Sequence, residues 1–360
     1  MRAVVCHGPG DYRLEIISDP SAKADSAVLQ VEAVGICASD VKCFQGAPMF
    51  WGDQTRPPYC EAPVVPGHEF VGRIAEIGDV ARLRWGVALE DRVVVEQIVP
   101  CGQCQYCANG SYWLCRRNDI FGFHQIAQGA MAEYVLLPAN TRVYPISEAV
   151  YAPHAAFDEP LSCALHAVER ADIRFDDVVV IAGAGPIGLG MVAGCRLRGA
   201  RLIVSVDRYP ARLDVAIACG ADLAINFTSN DPINDVLDLT HGYGCDVYFE
   251  ATGQITGIQQ GLQMLRKGGR FIEYSVMGEA ATTDWTIIGD SKELDVRGAH
   301  LGPHCWPKAV QMIEASVLPL DRIASHTLSI EEFQHGFDLV ARGNTSIKVS
   351  LMPRPMGGGK

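Results

Sequence analysis

The rhythm of hydrophobic and polar positions changes once along the chain. Up to about residue 154, short runs alternate apolar and polar residues with a period of two and break at Gly and Pro. Residues 27–34 (Ala-Val-Leu-Gln-Val-Glu-Ala-Val), 71–77, 91–98 and 131–138 are the clearest, and residues 1–6 read as a further strand. Such alternation, bounded by turn residues, predicts half-buried strands and an all-β, barrel-like region. Residues 155–171 then place Leu161, Leu165 and Val168 at helical spacing. Residues 177–182 (Asp-Val-Val-Val-Ile-Ala) are apolar without alternation, as in a strand buried on both faces. After them helical stretches (186–197, 211–219, 233–240, 257–265) interleave with strand-like ones (202–206, 223–226, 247–250, 269–272). That βαβ order predicts a doubly wound parallel sheet, so the fold class is α/β. The tail adds a helix at 308–315 and a strand at 346–351. Residues 353–360, with a Gly triplet, are expected to be a loose end.

Composition narrows the classes. A chain of 360 residues predicts two domains, and 48% hydrophobic with 20% charged residues is ample for a packed core. The net charge of -12 argues against a nucleic-acid partner, which needs a basic face. No window approaches the roughly 18 apolar residues of a membrane span, and the start lacks a secretory apolar region. Thirteen cysteines, an odd number, fit thiols and metal ligation better than disulfides, so a cytoplasmic location is expected.

Three motifs carry candidate chemistry. Cys101-Gly-Gln-Cys104-Gln-Tyr-Cys107, followed by Cys115, offers four thiols that can close a tetrahedral structural zinc site in a lobe of about residues 97–118. An iron–sulfur cluster uses similar spacing, but its fourth Cys is followed by Pro and sits closer than Cys115. Ala182-Gly183-Ala-Gly185-Pro186-Ile187-Gly188 follows an apolar strand and opens a helix, and Asp207 ends the next strand. This is the context of a dinucleotide fingerprint: Gly183 for the tight turn, Gly185 for approach to the pyrophosphate, Gly188 for close packing. Asp207 would accept from a ribose hydroxyl and favour NAD over NADP, while the neighbouring Arg208 leans the other way. The cofactor-binding set is Gly183, Gly185, Pro186, Ile187, Gly188, Asp207, Arg208 and Arg212. Third, Cys37 in Gly35-Ile-Cys37-Ala-Ser39-Asp40 and the pair His68-Glu69 offer thiolate, imidazole and carboxylate, the mixed donors of a catalytic zinc with an open position. Glu159, in Asp158-Glu159-Pro160, is a further carboxylate. Spacing alone cannot bring these residues together.

In their order and spacing these motifs resemble the zinc-dependent medium-chain dehydrogenase/reductase family, and its polyol dehydrogenase branch in particular. The resemblance covers nearly the whole chain. It implies a GroES-like β-rich catalytic domain (1–154 and 301–360, with the returning tail) around a Rossmann domain (155–300), with the active site in the cleft between them. It implies a catalytic zinc on Cys37 and His68, with Glu69 and Glu159 competing for the remaining carboxylate position, and a structural zinc on Cys101, Cys104, Cys107 and Cys115. Asp40 matches the acid that orients the ligating His, and Ser39 the hydroxyl that takes the substrate proton. Lys42 stands where many relatives have the His that ends the proton relay. The segment 43–60 looks longer than in simple alcohol dehydrogenases and is expected to shape the substrate mouth.

The resemblance further implies NAD-dependent oxidation of a small polyol to the ketose, a four-carbon sugar alcohol being the best match, and a homodimer or homotetramer. Gly298-Ala-His300-Leu-Gly-Pro-His304-Cys-Trp306 resembles the segment lining such sites. His300, His304, Phe121, Phe123 and His124 are therefore candidate pocket residues. L-threonine or another secondary alcohol is the alternative substrate. A non-catalytic nucleotide-sensing zinc scaffold is the alternative class.

Overall fold

The computed structural model describes residues 1–278 and 280–354; the expected loose end falls largely on residues 355–360, outside the described residues. Two compact units divide the chain: Met1–Glu159 with Trp306–Ala315 and Ala324–Lys360, and Pro160–Cys305 with Ser316–Ile323. Residues 155–159 group with the first unit, and 301–305 and 316–323 with the second, so the boundaries differ from those the resemblance implies. A helical period runs on across a unit boundary that contacts define.

Strands in chain order are β1 (Arg2–Gly8), β2 (Asp11–Ile16), β3 (Ala27–Ile36), β4 (Glu69–Ile77), β5 (Arg92–Val95), β6 (Tyr134–Leu137) and β7 (Val143–Pro145). The second unit adds β8 (Val178–Ala182), β9 (Leu202–Asp207), β10 (Leu223–Asn226), β11 (Cys245–Glu250), β12 (Leu265–Glu273) and β13 (Asp295–Gly298). β14 (His326–Ser329) and β15 (Val349–Met352) follow.

In the first unit β1 and β2 form a two-stranded antiparallel sheet, and the other strands form a second sheet in the order β14-β15-β3-β4-β5-β7, with β6 also paired to β3. β15 runs antiparallel to β3, Val349 opposite Ile36 and Leu351 opposite Val34, so the tail does return to the β-rich region. Val31, Val34, Ile36, Phe70, Ile74, Val93 and Val95 from these strands meet Phe333 and Phe337 of a helix, Phe333–Arg342, in one buried cluster. That helix and the edge strands β13 and β14 are elements the sequence pattern missed. The two strands are only four residues long, too short for alternation to register, whereas the helix carries a clear amphipathic period.

The second unit is a six-stranded parallel sheet in the order β10-β9-β8-β11-β12-β13. β8 lies between β9 and β11, so the chain leaves it at the point where the strand order reverses, where such sheets bind ligands. All five β8 residues are buried, as the unbroken apolar run predicts. Gly190 and Gly194, on the helix Pro186–Leu197, lie against Ala164, Leu165 and Val168 of the helix Asp158–Ala171. A Cβ on Gly190 would lie 2.7 Å from that of Ala164. Among the described residues no helix is long and apolar enough to cross a membrane.

Candidate active site and metal centres

β3 ends at Ile36, and Cys37 is the N-cap of a helix we call α1 (Ala38–Phe44). β4 begins at Glu69, directly beside the end of β3 in the sheet, since Gly35 pairs with Glu69. This register brings Cys37, His68 and Glu69 together, with one donor atom from each within 4.8 Å of the others. Gly67 lies at φ +99, and a Cβ there would meet Met131 and Val34 at 2.9 Å, so the turn that aims His68 requires glycine.

Asp40, in the first turn of α1, binds both halves of the site. Its Oδ2 accepts from the Cys37 N–H at 2.9 Å, and its Oδ1 lies 3.6 Å from His68 Nδ1. A carboxylate on the Nδ1 side is the usual arrangement behind a His that ligates through Nε2. Burial disfavours a charge on His68, but the Asp40 carboxylate and Cys37 outweigh it and raise its pKa well above the ordinary value. Ser39 is half-buried in the same turn, and Lys42 lies in the next.

Glu69 has a partner that the sequence reading missed. Lys348, one residue before β15, is as buried as the carboxylate and forms an ion pair with its Oε2, while donating to Ile36 O at 3.1 Å. Burial lowers the pKa of the ammonium, yet the Glu69 charge more than compensates and holds it above the usual value. The signal in sequence was a lone Lys opening an apolar strand, which normally marks a surface position. Gly35 is required by this pair: a Cβ there would collide with Glu69 Oε2 and sit 2.7 Å from Lys348 Cε.

Glu159 is buried but stands outside the group of three. Its Oε1 accepts from Gln97 Nε2 at 2.6 Å, and its charge reaches Lys348. Gln97 is a second residue the sequence did not single out. Of the pocket candidates, Phe123 lies beside the His68 ring (5.7 Å between centroids) and stacks on Phe50 at 5.1 Å. Phe121 instead packs edge-on against Phe70 at full burial and belongs to the core. His124 turns to Asp119, 3.3 Å from Nδ1, and to the Tyr59 ring. In segment 43–60, Trp51 Nε1 donates to Cys43 O and both Tyr59 and Cys60 N–H donate to Phe50 O, which folds the segment against Phe123. His300 and His304 belong to the second unit, close to His166.

The four-cysteine lobe fits a tetrahedral ion. With Zn–S bonds near 2.3 Å the sulfurs should stand about 3.8 Å apart; Cys101 to Cys107 is 3.9 Å and Cys104 to Cys107 is 3.5 Å. Backbone N–H groups of Arg116 and Cys107 pull the Cys104 thiol down to about 6, the direction a thiolate ligand needs. Cys101 N–H reaches Cys115 Sγ at 3.3 Å, closing the loop on itself.

In the second unit, Gly183 (φ +100) turns the chain out of β8, and a Cβ there would meet Ala251 O at 2.7 Å. A Cβ on Gly188 would collide with Gly183 O, so helix and strand approach through this glycine. Gly185 caps the helix Pro186–Leu197, which carries Pro186 and Ile187 in its first turn and has no side-chain cap, leaving its N–H groups available to a phosphate. The Asp207 carboxylate accepts from Ala184 N–H at 2.7 Å and from Tyr209 N–H at 2.9 Å. These bonds fix it at the end of β9 and leave each oxygen a further lone pair. Arg208 and Arg212 both lie over the Tyr209 ring, and Arg212 Nη1 is the nearest atom to the Gly185 Cβ position.

A thiol–imidazole–carboxylate group in a β-rich unit, a tetrathiol lobe and a glycine turn at the switch point of a parallel sheet together describe a metal-assisted dehydrogenase. Residues 23–148 match the alcohol dehydrogenase GroES-like domain, and residues 186–315 the zinc-binding dehydrogenase family. The chain belongs to the zinc-binding alcohol dehydrogenases. It is 55% identical to the erythritol/L-threitol dehydrogenase of Mycolicibacterium smegmatis over 98% of both chains. It is 33% identical to the L-threonine 3-dehydrogenase of Bacillus velezensis over 94% of this chain and 95% of the relative. A zinc-binding dehydrogenase from Sinorhizobium meliloti 1021, solved bound to NADP, superimposes with a TM-score of 0.87 at 27% identity, covering 98% of this chain and 99% of its own.

Proposed function

We propose that this enzyme oxidises a secondary hydroxyl of a small polyol, of the erythritol or threitol kind, to the ketose, with NAD accepting the hydride. The observation that carries the reading is the group of half-buried Cys37 with buried His68 and Glu69, in a chain 55% identical to an erythritol/L-threitol dehydrogenase along its length. Cys37, His68 and Glu69 would hold the catalytic zinc, and Cys101, Cys104, Cys107 and Cys115 the structural one. When bound, the catalytic ion lowers the pKa of a coordinated hydroxyl and NAD supplies the hydride acceptor.

The chain's own residues do the rest. Asp40 fixes the His68 ring and the Cys37 backbone in one orientation. Ser39, one residue before Asp40, would take the substrate proton. Lys348 pairs with the Glu69 carboxylate, which would share its charge between the ammonium and the ion when one is bound. Glu159, held by Gln97, presents a second carboxylate for substrate hydroxyls or a bound water. Gly183, Gly185, Pro186, Ile187 and Gly188 form the pyrophosphate cradle. Asp207 receives the ribose hydroxyls, with Arg208 and Arg212 flanking. The enzyme should work as a homodimer or homotetramer; sedimentation would reveal a monomer. Thirteen free cysteines support a reducing, cytoplasmic setting.

The test is turnover with NAD on erythritol, D- and L-threitol, sorbitol, xylitol, L-threonine and 2,3-butanediol. Highest kcat/KM on a four-carbon polyol is expected. Highest kcat/KM on threonine would replace this reading with the amino-alcohol one. Absent turnover on all of them would favour a nucleotide sensor. A preference for NADP would refute the role given to Asp207.

A further inference from the structure

We propose that His166, Glu169 and Cys305 form a third metal site, separate from the two described above, which takes a borderline divalent cation such as zinc. The three donor atoms lie within 4.8 Å of one another, the same closeness as in the other two groups. His166 and Glu169 sit three residues apart on the helix Asp158–Ala171, hence on one face. Cys305 arrives on the segment after β13, and the backbone fixes its position. Leu301 and His304 adopt left-handed conformations (φ 56 and 61), uncommon for side chains of their size. Between them Gly302 is pressed onto the helix: a Cβ there would collide with Ser162 Oγ and sit 2.8 Å from Cys163 N. Cys305 N–H then donates to Gly302 O at 3.2 Å.

The geometry suits a tetrahedral ion. Bonds of about 2.3 Å to sulfur and 2.0 Å to oxygen put the two ligand atoms roughly 3.5 Å apart. Cys305 Sγ stands 3.6 Å from Glu169 Oε2. The other carboxylate oxygen faces Arg198 Nη2 at 3.5 Å, which orients the ligating oxygen toward the thiol. Thiol, imidazole and one carboxylate exclude magnesium and calcium, which need oxygen cages, and select zinc or a similar ion. His166 and Cys305 are buried, whereas the Glu169 side chain is 34% exposed, which gives an entry path and leaves a coordination position to water. On binding, the thiol proton passes to solvent, and the Cys305–Glu169 hydrogen bond gives way to one sulfur–metal and one oxygen–metal bond, with no change of oxidation state. The ion would clip the segment after β13 to the helix that carries Glu159 in its first turn.

The test is metal content per chain of the holoenzyme, Cys305→Ser and Glu169→Gln, each equilibrated with zinc buffered in the micromolar range. The wild type should hold about one zinc more than either variant, with turnover retained in Glu169→Gln. Zinc should also raise the Tm of the wild type more than that of the variants. Should Cys305→Ser not fold, the half-exposed Glu169→Gln decides alone. Equal metal content in wild type and variant overturns the proposal and leaves a thiol–carboxylate hydrogen bond in its place.

Discussion

Lys348→Met leaves the Glu69 carboxylate buried without its ammonium partner. Both side chains are only 2–3% exposed, so water cannot replace the lost charge. Removing one member of such a pair costs about 3–5 kcal/mol, because an uncompensated charge stays in a poorly polarisable interior. The lost hydrogen bond to Ile36 O lies within that figure. At roughly 2–4 °C per kcal/mol for a unit of this size, the melting temperature should fall by about 6–20 °C. The comparison is best made on chelator-treated protein, where no cation can stand in for the ammonium. The double variant Glu69→Gln/Lys348→Met removes both charges and should recover most of the loss, which makes the cycle diagnostic. A single variant within about 1 kcal/mol of wild type would refute the reasoning, since it would mean that Glu69 does not carry a buried charge dependent on Lys348.

Further outcomes follow from other residues. Gly35→Ala forces a methyl into the Glu69–Lys348 pair; kcat/KM should drop at least about tenfold, the effect of ~1.4 kcal/mol, and zinc content should fall with it. Glu96 is fully buried beneath the Tyr144 hydroxyl, and burial pushes its pKa from 4.5 to about 7 against the pull of Tyr112, Tyr144 and Arg142. Between those values the folded state keeps a proton that the unfolded chain has released, so stability declines as pH rises through the window. Glu96→Gln should therefore melt higher than wild type near pH 8, by up to about 3 kcal/mol, and converge with it near pH 5; a pH-independent difference would refute the assignment. Cys107→Ser opens the tetrathiol lobe and should lower thermal stability and remove one zinc, while the KM of the surviving folded enzyme changes little.

The sequence by itself determined most of the elements and the donors of the two zinc groups. An unbroken apolar run of five residues reads as a strand buried on both faces, and β8 is one. The glycine turn, the tetrathiol spacing and the pair His68-Glu69 were legible because each is a local pattern, in which chain geometry alone brings the groups within reach. Cys37 and Asp40 were named from their motif, but their convergence on His68 waited on the register of β3 against β4, which no spacing of 31 residues along the chain encodes.

What only tertiary structure decided is what joins distant segments. Lys348 meets Glu69 because β15 returns to pair with β3, and a lysine in a strand-like run looks like a surface residue until that pairing is known. Gln97 reaches Glu159 by the same kind of long-range contact. Phe121 and Phe123 are two residues apart and of one chemistry, yet one fills the core and the other lies against His68. Asp207 was expected to face the cofactor, and the fold also ties both its oxygens to backbone amides. His166, Glu169 and Cys305 form a cluster across well over a hundred residues of sequence. A pattern reports which side of its own element a residue occupies; which other element that side faces is set by packing and register, and the chemistry of a site depends on the second.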